Sequence, residues 1–284
     1  MADKFNPKYK ITNQITLSLM KIEAIKHIVN NTPITPAVLI KLQESARLAS
    51  THFSTQIEGN RLTQEEVIQV IIKQQTIPYR KRDENEVKGY YAALNFIKKK
   101  PDLTETLVKK IHAIVIGNGR TNVKPSPYRD GQNVIREGLS GNIVYMPPEA
   151  KDVPFLMNQL IKWLEKENNI PAAIIAAIAH YQFVTIHPYY DGNGRVARLL
   201  TTLILYLKGY GLQGIYNLEE YYTKHLLEYY KALDVGPSHN YYSGREGTDI
   251  TKWIEYFCVG TAFSFEKIKN RVLEFADQSS PEKT

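Results

Sequence analysis

The sequence predicts an all-α chain that carries one β-hairpin, and three observations support that expectation. Apolar residues recur at helical spacing along nearly the whole length, the pattern of helices that each turn one face to a core. Thr63-Gln-Glu-Glu66 and Asp102-Leu-Thr-Glu105 read as capping boxes, because the cap oxygen and the later carboxylate each satisfy a backbone donor at a helix start. One stretch, Tyr128–Pro148, interrupts the helical pattern. There Val134-Ile135 and Ile143-Val144-Tyr145 flank a Glu-Gly-Leu-Ser-Gly-Asn segment that ends at Pro147-Pro148, as in a two-stranded hairpin.

In chain order, helices are expected at about Pro36–Ile57, Gln64–Gln74, Glu84–Lys99, Leu103–Ile116, Val153–Glu167, Pro171–Thr185, Arg195–Lys208, Leu218–Asp234 and Asp249–Phe275. The two capping boxes open the helices at Gln64 and Leu103. The hairpin falls between the helices ending at Ile116 and opening at Val153, and it must rest on helices, since an isolated hairpin is marginal in water. Ile77–Asn85, rich in charge with one proline, marks a soft boundary. The expected organisation is an N-terminal helical region over 1–84, a central core over 85–257, and a C-terminal helix with a polar tail over 258–284. No repeat of 20–50 residues occurs, and only the tail Gln278–Thr284 is of low complexity.

Composition narrows the function classes. The chain has 284 residues, 43% of them hydrophobic and 23% charged, the balance of a globular protein with a sizeable core. A single cysteine, Cys258, excludes an internal disulfide framework and a multi-cysteine zinc site, and fits a reducing compartment. No apolar leader follows Met1, and no apolar run approaches the roughly 18 residues of a membrane span, so a cytoplasmic protein without a membrane partner is expected. The 36 basic and 29 acidic side chains leave a net charge of +7, but the basic residues are spread along the chain, so nucleic-acid binding is not expected.

The chemistry concentrates in Thr185-Ile-His187-Pro-Tyr-Tyr-Asp191-Gly-Asn193-Gly-Arg195-Val-Ala-Arg198. An apolar helix ends at His187-Pro188, a loop with two glycines follows, and a new helix begins near Gly194. Such a loop presents free backbone N–H groups and the positive end of a helix dipole. Gly192 and Gly194 let the backbone bend around an anion, and Arg195 and Arg198 stand three apart on the first turn, both within reach of phosphate oxygens. Asp191 offers a hard oxygen for Mg²⁺, and His187 stands where a general base is needed. Other motifs fail on context. Gly192-Asn-Gly-Arg-Val-Ala197 matches a dinucleotide fingerprint, yet no acidic residue lies between Asp191 and Glu219. A calcium loop would need an acid at His187 or Tyr189. Neither a His-Glu-x-x-His nor a phosphate-binding Gly-x-x-x-x-Gly-Lys-Ser/Thr motif occurs. His180 reads as a packed helix histidine rather than a second ligand.

The segment His187–Arg198 resembles the signature of the Fic family, His-x-Phe-x-Asp/Glu-Gly-Asn-Gly-Arg-x-x-Arg, with Tyr189 in place of the usual Phe. The resemblance extends further. Tyr128-Arg129, the hairpin and Tyr145-Met-Pro-Pro148 look like the family's flap, which holds a target segment by strand addition, and Val134, Ile135 and Tyr145 would line it. Tyr229-Tyr230 resembles the tyrosine pair near the adenine pocket, and Asp249–Phe257 the helix that follows it. The pocket's usual Asn is out of register, and Asn240 stands within the intervening insertion. Ser54-Thr-Gln-Ile-Glu58-Gly59-Asn60 looks like the inhibitory motif of the family members whose inhibitory helix lies N-terminal to the core, the class II type. Ser54 and Glu58, four apart, share one helix face, and Gly59 suits a helix-ending left-handed position.

The resemblance implies the Fido helical core with a hairpin flap, and an enzyme that moves AMP from ATP to a Ser, Thr or Tyr hydroxyl of a target protein. His187 would take the hydroxyl proton. Asp191 would hold Mg²⁺, and Gly192, Asn193, Gly194, Arg195, Val196, Ala197 and Arg198 would cradle the phosphates, with an added donor from the Asn193 side chain. Glu58, in a bidentate pair with Arg198, would exclude the γ-phosphate. Alternatives on the same residues are hydrolysis of AMP from modified proteins, transfer of another phosphoryl-containing group, and a toxin-like regulatory module. Homodimers are frequent in the family, though no exposed apolar stripe is visible in the sequence. The nine residues after Phe275 are too few for the winged helix of some relatives.

Overall fold

The computed structural model describes residues 5–136 and 140–278, which form eleven α-helices and one two-stranded hairpin. The N-terminal helices are α1 (Asn13–Asn31), α2 (Pro36–Ile57), α3 (Gln64–Ile71), α4 (Lys81–Ile97) and α5 (Glu105–Ile116). The hairpin strands β1 (Ile135–Arg136) and β2 (Ile143–Tyr145) come next, then α6 (Val153–Lys166), α7 (Ala172–Ile186), α8 (Asn193–Leu207), α9 (Glu219–Lys224), α10 (Leu226–Leu233) and α11 (Thr251–Gln278). This is the expected all-α class with one hairpin.

Two buried helices take the centre. α7 is apolar and buried almost all round, as a helix without a polar face must be, and α8 buries every residue from Arg195 to Leu205, its two arginines included. α11 crosses α7, where the fully buried Trp253 donates its indole N–H to the Ala177 carbonyl at 2.7 Å. α2 lies against α4, α8 and α9, and α5 against α4 and α8, so the chain's N-terminal third contributes directly to the surroundings of the α7–α8 loop.

Several boundaries depart from expectation for local reasons. α1 was not anticipated: Leu17 and Met20 remain exposed while Ile15, Ile22, Ile25 and Val29 are buried against α11, and the two sets together blur the apolar stripe. The Thr63–Glu66 capping box forms as expected, but α3 stops at Ile71, and Gln74, the expected last residue, has a left-handed backbone. At α5 the cap is Thr104, whose hydroxyl accepts from the Leu107 amide at 3.1 Å, so Asp102 does not form the second box. The helix expected over Leu218–Asp234 breaks at His225 into α9 and α10. α4 runs through the expected boundary at 84/85, and α11 through that at 257/258.

The hairpin pairs Ile135 with Tyr145 and Arg136 with Ile143, antiparallel. Val134 precedes β1, and residues 137–139 of the connecting segment lie outside the described residues, as does nearly all of the tail 278–284. Tyr145 turns inward and donates its hydroxyl proton to the Thr185 carbonyl at 2.7 Å, which seats the hairpin on the end of α7. Among the described residues no helix is long and apolar enough to cross a membrane.

α4 and α5 approach so closely that a Cβ on Gly89 would stand 2.0 Å from the Val115 carbonyl oxygen. Gly89→Ala is therefore expected to destabilise the fold by roughly 2–3 kcal/mol through forced separation of the two helices, read as a lowered urea midpoint with an unchanged slope.

Candidate active site

The α7–α8 loop is held in shape by side chains at its own ends. His187 closes α7 in a left-handed conformation, φ 52° and ψ 60°, with its amide bonded to the Phe183 carbonyl at 3.0 Å. Its Nδ1 lies 3.2 Å from the Val184 carbonyl, which assigns the ring proton to Nδ1 and leaves Nε2 as an acceptor. Asn193, at the start of α8, clasps Tyr189 from both sides: its Oδ1 accepts from the Tyr189 amide at 3.0 Å and its Nδ2 donates to the Tyr189 carbonyl at 2.8 Å. The Asn193 amide, expected to add a donor to a phosphate, uses one of its two Nδ2 protons in closing the loop.

Two residues outside the motif brace this loop. His112 of α5 stacks on the Tyr189 ring, centroids 3.5 Å apart and planes within 8°, and its Nε2 bonds the Asp191 carbonyl at 3.0 Å. Arg129, buried, gives Nε to the His187 carbonyl at 2.9 Å and Nη1 to the Gly131 carbonyl at 3.0 Å, and its own amide bonds the Pro188 carbonyl. Nothing in the sequence distinguishes His112 from a core residue, since it stands on α5 among the buried Val108, Ile111 and Val115.

Asp191 holds its carboxylate outward, with about three-quarters of the side chain exposed. It accepts from the Gly192 amide at 2.6 Å and, with both oxygens at 2.9 Å, from Arg195 Nη2. Burial opposes the charge, but Arg195 more than offsets it, so the carboxyl titrates below its ordinary range. The first turn of α8 has no side-chain cap, so its N–H groups and dipole face the space above Gly194.

The Glu58 carboxylate occupies that space. A Cβ on Gly194 would meet Glu58 Oε1 at 2.2 Å, so only glycine admits the approach. Arg198, on the next turn of α8 and fully buried, donates Nη2 to Glu58 Oε1 at 2.8 Å. It also gives Nε to Ser54 Oγ at 2.7 Å and Nη2 to the Ser54 carbonyl at 2.9 Å. The expected bidentate Glu58–Arg198 pair is therefore a single contact, because Ser54 takes the other edge of the guanidinium. Arg198 Nη1 is buried with no partner among the described residues.

The tyrosine pair divides. Tyr229 is buried, its hydroxyl 3.0 Å from His180 Nε2, whereas Tyr230 is half-exposed and reaches the Ile57 carbonyl at 3.5 Å. His180 is a core residue held between Thr201 and Tyr229. Asn240 lies elsewhere: its Oδ1 accepts from the Tyr242 and Ser243 amides, and its segment pairs with Met146 beyond the hairpin. Val196 and Ala197 are buried in α8 and line no open space.

The family model that matches this chain is the Fic/DOC family, over residues 102–205. "Protein adenylyltransferase Fic" of Drosophila grimshawi is 30% identical over 181 residues, 61% of this chain and 36% of that protein. The chain thus spans about a third of the length of the curated relatives it matches. Among solved structures, a Fic family protein from Desulfovibrio desulfuricans superposes with a TM-score of 0.76 at 25% identity, covering 98% of this chain and 79% of that one. A Fic domain containing signaling protein from Bacteroides thetaiotaomicron superposes at 0.73 and 20% identity, over 96% of this chain and all of that one, a likeness of fold.

Burial pushes the imidazoles of His112 and His187 down to about 4, and it lowers that of His180 as well. An unfolded histidine takes up its proton near pH 6.5, so between about 6.5 and 4 the unfolded state binds more protons. The stability contributed by these neutral rings is complete above 6.5 and declines as pH falls. A drop on the order of 2 kcal/mol for each of His112 and His187 is expected between pH 7 and 4.5, measured by urea unfolding, and equal stability at the two pH values would refute the assignment.

Proposed function

We propose that this chain, whose residues 102–205 match the Fic/DOC family, is a Fic family protein and an autoinhibited protein adenylyltransferase that moves AMP from ATP to a hydroxyl of a target protein. The observation that carries the reading is the Glu58 carboxylate set over Gly194 and bonded to Arg198 at the uncapped first turn of α8, next to the loop that carries His187 and Asp191. The name of the Drosophila relatives supports the adenylyl group.

His187 is a neutral base with a free Nε2, so it can accept the proton of an incoming Ser, Thr or Tyr hydroxyl near neutral pH. The hydroxyl oxygen forms a bond to the α-phosphorus of ATP, the bond from that phosphorus to the bridging oxygen breaks, and pyrophosphate leaves with the electron pair. Backbone N–H groups of Asn193 and Gly194 supply donors where charge grows on the α-phosphate. Arg195 and Arg198 hold the β- and γ-phosphates.

The donors present suit Mg²⁺. Asp191 is a lone outward carboxylate, and no trio of His, Cys, Asp or Glu able to hold a metal ion occurs among the described residues. Mg²⁺ takes few protein ligands and leaves its other positions to phosphates and water. When bound there, the ion neutralises phosphate charge. Arg195 fixes the Asp191 carboxylate in its ionised, outward form.

Glu58 blocks productive binding twice. Its carboxylate fills the volume over Gly194 and neutralises Arg198, the cation a γ-phosphate needs. The hairpin's β1 edge and the exposed Ile143 and Val144 support a flap that takes the target segment as an added strand. Tyr230, half-exposed beside the end of α2, is the member of the tyrosine pair open to an adenine.

Intact-protein mass spectrometry after incubation with Mg²⁺ and ATP tests the reading. Glu58→Gly is expected to gain the mass of AMP, on itself or on an added target, at least about tenfold faster than the wild type, and Glu58→Gly/His187→Ala to gain none. Equal rates for wild type and Glu58→Gly would refute autoinhibition. Release of AMP from an adenylylated substrate by the wild type, without transfer by Glu58→Gly, would assign the hydrolytic direction instead.

A further inference from the structure

We propose that Asn60 is a positioning residue that keeps Glu58 over the first turn of α8 by tying the end of α2 to α4. The inference rests on the inhibitory reading of Glu58. Glu58 is the C-cap of α2, where a helix frays most readily. The chain turns away at Gly59, φ +88°, and the Gly59 and Asn60 amides close the turn on the Gln56 and Thr55 carbonyls at 3.0 and 3.1 Å.

Asn60 then anchors the turn. Its side-chain Nδ2 donates to the Asp83 carbonyl at 3.0 Å and to Glu86 Oε2 at 2.9 Å, both on α4, while its Oδ1 accepts from the Leu62 amide at 3.1 Å. Asn60 is buried, and every polar group of its amide is matched. α4 packs on α5 and α8, so the anchor refers the position of Glu58 to the same framework that carries Gly194 and Arg198. Ser54 secures the upstream turn of α2 to Arg198. Between these two fixed points the Glu58 side chain has one good contact and remains a third exposed, so its residence over Gly194 depends on both.

Replacing the Asn60 amide group by a carboxylate reverses the polarity of the α4 contact: Asn60→Asp keeps the acceptor for Leu62 but sets an anion against Glu86 and the Asp83 carbonyl. The test measures two quantities on the full chain, the rate of AMP incorporation with Mg²⁺ and ATP, and amide hydrogen exchange of the segment 55–62. Asn60→Asp is expected to raise the rate by about tenfold, the effect of losing one charge-assisted bond, to add nothing on top of Glu58→Gly, and to speed exchange in that segment. Asn60→Asp/Glu86→Gln restores a donor–acceptor pair with the roles exchanged and should bring both quantities back toward wild type.

A residue that served the fold alone would lower activity when changed, so a gain separates positioning from support. Unchanged exchange in Asn60→Asp, or a rate gain that adds to that of Glu58→Gly, overturns the proposal. If Asn60→Asp does not fold, Glu86→Ala carries the same expectation with a smaller gain. An inactive Glu58→Gly counts against the inhibitory reading itself, while the exchange measurement still decides whether Asn60 holds the turn.

Discussion

A fully buried guanidinium governs the arrangement of this molecule. Arg198 sits inside the bundle on α8, where an unpaired cation would be strongly destabilising. Burial works against its charge and Glu58 works for it, with the net result that the guanidinium holds its proton more tightly than an ordinary arginine. The acceptors that answer it, Ser54 and Glu58, both belong to α2, an element some 140 residues earlier in the chain. The packing of α2 on α4, α8 and α9 is therefore inseparable from the electrostatics of the α8 terminus.

The same economy shapes the loop before α8. A segment rich in glycine and polar residues has little packing to fix it, yet here each end is tied. Asn193 clasps Tyr189, His112 stacks beneath that ring and bonds the Asp191 carbonyl, and Arg129 bonds the carbonyl of His187. The groups a reaction would use on the proposed reading, His187 Nε2 and the outward Asp191 carboxylate, are not needed to hold the loop because their backbones are held by others. The Tyr189 hydroxyl, the one departure from the family pattern, is buried without a partner among the described residues, and the ring stack is unaffected by it.

Legibility in the sequence followed the locality of the physics. The loop and helix start from His187 to Arg198, the Thr63–Glu66 capping box and both ends of α2 were readable because spacing and cap chemistry are local properties. Long-range bracing left no such trace. His112 reads as core from its neighbours on α5, and Asn60 meets α4 23 residues or more downstream. α1 was hidden because it is apolar on two faces. The break at His225 was hidden too, since Leu218–Asp234 keeps a helical pattern across it. The loop-closing role of Asn193 was not readable from its place in the motif either, because its amide meets the backbone of Tyr189 four residues away.

On the proposed reading, the contact of Glu58 with Arg198 has to be strong enough to occupy the site and weak enough to leave it. Glu58 meets Arg198 through one bond at 2.8 Å and is a third exposed, so on leaving it exchanges that bond for water rather than stranding a buried anion. Arg198 has the harder requirement, because it cannot follow into solvent. Ser54 meets it: the hydroxyl and carbonyl hold Nε and Nη2 through bonds that do not involve the Glu58 carboxylate. Nη1, buried and without a partner among the described residues, is then free for an incoming phosphate oxygen. On the proposed reading, the Ser54–Glu58 spacing separates two tasks on one helix face: Ser54 keeps the buried charge tolerable in every state, and Glu58 decides whether that charge is available.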